Sequence, residues 1–146
     1  MTATVEVLGT PTPDDLDDLV ALISSLGYAL DADVLARRLA RLTAAAGHET
    51  WVVRDGDGRL RAVGGGHLMW AYNADAPVAQ LLLLVVRDDA RRDGLGSQLL
   101  THFEAWAGRH GARTLDAVSA AATDSAHRFY QKRGYHSAGT RYSKLA

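Results

Sequence analysis

Residues 78–100 read Val-Ala-Gln-Leu-Leu-Leu-Leu-Val-Val-Arg-Asp-Asp-Ala-Arg-Arg-Asp-Gly-Leu-Gly-Ser-Gln-Leu-Leu. The apolar run Leu81 to Val86 is too short for a helix and is bounded by charge, which predicts a strand buried on both faces. A polar turn follows, then Gly94 and Gly96, then a helical pattern with Leu95, Leu99, Phe103 and Trp106 on one side. A strand, a glycine-bearing turn and a helix N-terminus together make an anion cradle. Unpaired backbone N–H groups point out of the first helical turn, where the helix carries roughly half a positive charge. Glycine removes the Cβ atoms that would hold a phosphate away.

A Gly-x-Gly opening a helix also occurs as a plain strand-to-helix corner, so the spacing around it matters. No Gly-Lys-Ser/Thr follows, which excludes a Walker loop. The third glycine of a dinucleotide fingerprint is missing, because residue 99 is leucine.

Around this stretch lies a chain of 146 residues, the length of one domain spanning residues 1–146 and enough to bury a sizeable core. Lys plus Arg number 16 and Asp plus Glu 17. So balanced a charge argues against bulk nucleic acid or an anionic membrane as partner. With no cysteine, disulfides, thiolate metal sites and a cysteine nucleophile are excluded. No apolar run approaches the roughly 18 residues of a membrane span, and no basic-then-apolar leader opens the chain. The expectation is a cytoplasmic protein. The alanine-rich composition is that of a GC-rich, bacterial coding sequence.

In chain order, Thr4 to Leu8 predicts a strand. Thr12 as N-cap, Pro13 at the first helical position and the acids behind it start a helix with Leu16, Leu19, Val20 and Ile23 inward. Asp31 caps a second helix with Leu35, Leu39 and Leu42 inward. Arg37, Arg38 and Arg41 on that helix are either a solvated face or a site for an anionic group. Thr50 to Arg54 and Leu60 to His67, joined by Asp55-Gly56-Asp57-Gly58, predict a hairpin. Gly64-Gly65-Gly66 inside its second strand implies a bulge or the close approach of backbone or ligand. His67, Met69, Trp70 and Tyr72 follow; they could wall a pocket or cap the edge of the core. After the central helix, closed by Gly111, Arg113 to Val118 is a strand. A helix capped by Thr123 or Asp124 then runs to Lys132 with Ala126, Phe129 and Tyr130 inward. Tyr135 to Lys144 is a final pair of strands. The fold class expected is α/β, a mixed central sheet of about seven strands flanked by four helices.

Two motifs carry a family resemblance. Arg91-Arg92-Asp93-Gly94-Leu95-Gly96 fits Arg/Gln-x-x-Gly-x-Gly/Ala, and Ala126-His127-Arg128-Phe129-Tyr130-Gln131-Lys132-Arg133-Gly134-Tyr135 fits Ala-x-x-Phe-Tyr-x-Lys-x-Gly-Phe/Tyr. With the element order, they resemble the GNAT superfamily of N-acetyltransferases over essentially the whole chain. The narrower likeness is to small-molecule amine acetyltransferases of the aminoalkylphosphonate type. Asp88, Arg92, Asp93 and Thr123 depart from the family's usual residues. Asp93 sets a negative charge beside the expected pyrophosphate. The central strand lacks the glutamate that often serves relatives as base.

The resemblance implies acetyl-CoA as co-substrate, held by Leu84, Val85 and Val86 and by the loop residues Arg91, Arg92, Asp93, Gly94, Leu95, Gly96 and Ser97. It implies direct transfer to a small-molecule primary amine, with a backbone N–H near Val85 and Val86 stabilising the oxyanion. Tyr130 would protonate the leaving thiolate; otherwise it is a core tyrosine. For the base, deprotonation through water relayed by His67 is expected, with Glu49, Asp116 or His127 behind it. His67 follows the three glycines, and an unperturbed histidine titrates near neutral pH. His102 and His110 are expected to be solvated. No histidine spacing supports a metal, and a homodimer is compatible with the sequence. A protein or peptide acetyltransferase, a non-catalytic acetyl-CoA-binding module and a nucleotide-binding protein sharing the cradle are the rival readings.

Overall fold

The computed structural model describes residues 3–118 and 124–146. The elements are β1 (Val5–Val7), α1 (Pro13–Ser24), α2 (Ala32–Ala44), β2 (His48–Arg54), β3 (Leu60–Met69), β4 (Val78–Val86), a 3₁₀ turn (Asp88–Ala90), α3 (Leu95–Arg109), β5 (Thr114–Ala117) and α4 (Asp124–Lys132). The strands lie in sequence order in one sheet. β1 to β4 run antiparallel, and β5 lies parallel to β4. Among the described residues the sheet is mixed, as expected, with four helices.

Side-chain alternation sends the sheet's residues into two cores. On β2, Trp51, Val52 and Val53 are each fully buried. Trp51 and Val53 join Leu95, Leu99, Phe103 and Trp106 under α3. Val52 joins Leu19, Leu22, Leu35, Val63 and Val85 under α1 and α2. The inward face of α1 thus includes Leu22, beyond the residues its periodicity marked.

α1 starts where the sequence places it. Thr12 Oγ1 accepts from the Asp15 N–H at 3.1 Å, and Asp15 Oδ2 accepts from the Thr12 N–H at 3.1 Å. Asp15 is buried and also receives the Arg54 guanidinium on both carboxylate oxygens, at 2.6 and 3.1 Å. That pairing holds its carboxyl below the ordinary value. Removing Arg54 would leave the buried Asp15 carboxylate with only the Thr12 backbone N–H as partner.

The sheet has five strands among the described residues, not about seven. Tyr135 to Lys144 forms no strand pair. Tyr142 is 90% and Leu145 95% exposed, so the end of the chain packs no row of large side chains against the sheet. The placement of Thr123, one of the two caps expected for α4, lies outside the described residues.

One of the three glycines, Gly66, has a definite cause. The β3–β4 register shifts between Gly65 and Gly66, which face Leu83 and Leu81, leaving Leu82 as the extra residue of a bulge. A Cβ on Gly66 would stand 2.6 Å from the Trp51 ring, 2.9 Å from Trp106 and 3.3 Å from Phe103. What approaches this backbone is the aromatic core.

Candidate active site

β4 runs longer than its apolar sequence suggested and is not buried on both faces throughout. Its pairing with β5 extends from Val78 opposite Thr114 to Leu81 opposite Ala117. Past the Val118 N–H bond to the Leu81 carbonyl at 3.2 Å, no described strand borders β4 on that side. Leu82 is exposed, Leu83 and Leu84 half-buried. Among the described residues the strand therefore opens from Leu82 onward, upstream of Val85 and Val86. Val85 packs under α1 and α2, whereas Leu84 and Val86 pack on the α3 side.

Tyr130 faces this opening from α4. It lines a cavity of 410 Å³ with Gln80, Leu81 to Leu84 and Arg141. A second cavity, of 660 Å³, has Tyr130 beside Asp116 and His127. Its ring is half-buried, edge-on to Phe129 at 5.2 Å and to Tyr135 at 5.7 Å. Tyr135 is fixed in turn by its hydroxyl, which donates to Glu104 at 2.9 Å. Burial pushes the Tyr130 hydroxyl above the ordinary tyrosine value, which keeps the proton on the phenol at neutral pH.

At the far end of β4, Gly94 caps α3 with φ 73°, a left-handed conformation that glycine adopts without strain. The first intrahelical bond runs from the Gln98 N–H to the Gly94 carbonyl. The N–H groups of Leu95, Gly96 and Ser97 precede it and are free to meet an anion. No acid stands in this first turn. Asp93 is paired with Arg61 of β3, so its charge is balanced there. Arg91 pairs with Asp88 at 2.8 Å, and Arg92 is exposed. A Cβ at Gly96 would point to Phe129, at 3.6 Å, and to Val86, at 3.8 Å; it would not fill the anion's place.

Arg133 joins this end of the site. Its guanidinium lies 4.6 Å from the Phe129 ring centroid and donates to Ser97 Oγ. In the second motif it stands at a variable position, between Lys132 and Gly134. A cation just before Gly134 was the available signal.

The base candidates are dispersed. His67 lies flat on His48 of β2, ring centroids 4.1 Å apart, and pairs in register with Gln80 of the cleft. No hydrogen bond or ring contact joins it to Tyr130 among the described residues. Glu49 accepts the Trp51 indole N–H at 2.8 Å. Asp116 and His127 share Tyr130's larger cavity. His102 is not solvated as expected: it meets Trp51 edge-on at 5.2 Å, with its Nε2 buried and unpaired. Trp70 and Tyr72 stand out in solvent, where they neither wall a pocket nor cap the core. No described residues gather into a metal-binding group, and no described helix is long and apolar enough to cross a membrane.

A model of the acetyltransferase (GNAT) family matches residues 17–135. The chain belongs to this family. As a GNAT acetyltransferase it is an acyltransferase with acetyl-CoA as co-substrate, and the free amides of α3 with Gly94 suit that ligand's phosphates. No curated protein sequence matches the chain. Among solved structures, the aminoglycoside 6′-N-acetyltransferase of Acinetobacter baumannii superposes with a TM-score of 0.81 at 20% identity, over 99% of each chain. A transcriptional regulator from Bacillus halodurans gives 0.85 at 16% identity, over 99% of this chain and 100% of its own. An aminoglycoside N-acetyltransferase bound to CoA gives 0.77 at 14% identity, over 100% of this chain and 97% of its own. At such identities the likeness is one of fold.

Proposed function

We propose that this GNAT protein transfers an acetyl group directly from acetyl-CoA to the primary amine of a small molecule. The observation that carries the reading is the placement of Tyr130 in the opening of β4, while the anion-ready end of α3 stands past that strand's C-terminus. One strand therefore leads from a phosphate cradle to a proton donor.

Acetyl-CoA supplies a thioester whose carbonyl a neutral amine can attack. The chain's own residues do the rest. Leu95, Gly96 and Ser97 offer backbone donors to the pyrophosphate, with Arg91, Arg92 and Arg133 as nearby cations. The backbone of β4 from Leu82 to Val86 offers donors to the carbonyl oxygen; one such donor is worth roughly 10²–10³ in rate. Tyr130, kept protonated by burial, gives its proton to the sulfur as the thiolate leaves, a general acid contribution of roughly 10²–10⁴. His67 relays the amine's proton through water toward solvent. Aminoglycoside acetyltransferases among the structural relatives make small amines the first class to test. Nothing in the comparisons supports the narrower aminoalkylphosphonate likeness.

Release of the coenzyme thiol, followed colorimetrically across simple amines, aminophosphonates, aminoglycosides and peptides, tests the reading. Turnover with a small amine and none with peptides is expected. Turnover confined to peptides would overturn it.

A further inference from the structure

A small cavity of 190 Å³ lies between α1, α2 and the β3–β4 bulge. Leu19, Ile23, Leu30, Leu35, Leu39 and Val63 line it on the side of the helices and β3, with His48 and Thr50 of β2 among its polar residues. It borders Tyr130's cleft, since Leu82 and Leu83 line both spaces. The bulge is what exposes this pair: with Leu82 as the extra residue, the strand turns apolar side chains toward both cavities. Gly65 also lines the smaller one and brings no side chain to narrow it.

Size and charge restrict the occupant. A dry apolar cavity of about 150 Å³ accepts a benzene ring, so this one suits a phenyl ring or a short branched chain. The charged residues on its wall are Arg38 and Glu49. Glu49 is engaged with the Trp51 indole, and Arg38 has no ion pair among the described residues. Arg37 and Arg41 stand exposed on the same helix. The two wall charges, Arg38 and Glu49, are of opposite sign, so a polycation finds no net charge to hold it, whereas an apolar group gains by leaving water.

Resting on the acetyltransferase reading above, we propose that the acetyl acceptor is a primary amine carrying an apolar group about the size of a phenyl ring. That group fills the cavity between α1, α2 and the bulge, and the amine projects past Leu82 and Leu83 into the cleft of Tyr130. In the transfer, the amine nitrogen bonds to the acetyl carbon as the carbon–sulfur bond breaks; the nitrogen loses one proton and the departing sulfur gains one.

Three probes test this: 2-phenylethylamine, ethylamine and kanamycin, each with acetyl-CoA. The kcat/KM for 2-phenylethylamine should exceed both others by about tenfold or more, the usual reach of an apolar pocket. Leu42→Trp at the partly exposed mouth and Leu39→Phe in the wall should each lower that value by about tenfold and leave ethylamine unchanged. Ethylamine or kanamycin matching 2-phenylethylamine would overturn the proposal, as would two folded variants indistinguishable from wild type. Calorimetry with CoA present gives a second readout. Should acetyl-CoA bind but no amine turn over, the transfer reading fails. The cavity then stands if 2-phenylethylamine binds the wild type and not the variants, and falls if it does not bind.

Discussion

The imidazole of His67 lies against that of His48, centroids 4.1 Å apart and planes 9° from parallel. Burial, and then the neighbouring His67, hold His48 below the ordinary histidine value. Two rings this close resist carrying two charges, which is the second cause of the lowering at His48. If His67 relays the amine's proton, the pH dependence of kcat/KM should differ between His67→Ala and wild type. A profile unchanged in His67→Ala, measured with the true acceptor, removes His67 and leaves Asp116 and His127, which share a cavity with Tyr130.

His102 makes a separate pH prediction, on stability. Desolvation, followed by the charge of Arg109, lowers its pKa in the folded chain. The unfolded chain therefore binds a proton first as pH falls below about 6.5, and stability drops with it. Above that value the contribution is complete. The melting temperature should fall on acidification from about pH 7.5 to about pH 5.5, and fall less in His102→Leu, which also removes a buried unpaired nitrogen. Equal falls in both proteins would refute the assignment.

The glycines of the α3 cradle differ in what they tolerate. Gly96→Ala places its methyl at ordinary contact distance from Phe129 and should bind acetyl-CoA nearly as wild type. Gly96→Val drives two further carbons toward Phe129 and Val86, displacing the ring on which Arg133 rests. Its affinity should fall by about tenfold, on the order of 1.4 kcal/mol. Arg92→Ala should change little. Calorimetric affinities equal for Gly96→Val and wild type would contradict this account of the cradle.

How much of this was legible beforehand depends on whether the signal was local. Thr12 and Asp31 announced their helices because capping is settled within four residues. The Gly94 cradle and the motif around Tyr130 were likewise short-range patterns. Residues 135–144 misled, because aromatic and β-branched content suggests strands, yet only tertiary burial decides whether pairing is favourable. The three glycines announced something unusual, but not that three aromatic rings from β2 and α3 would occupy the space over Gly66. The Asp93–Arg61 pair and the Arg133–Ser97 contact join residues more than 30 positions apart, and no local pattern encodes them.

Tyr130→Phe tests the central claim most directly. Acetyl-CoA affinity and, in parallel, single-turnover acetyl transfer to a working amine should be measured for both proteins. Affinity should be preserved, since the hydroxyl acts only as sulfur leaves, while the transfer rate should fall by about tenfold or more. An unchanged single-turnover rate in Tyr130→Phe would return Tyr130 to the core and contradict the account.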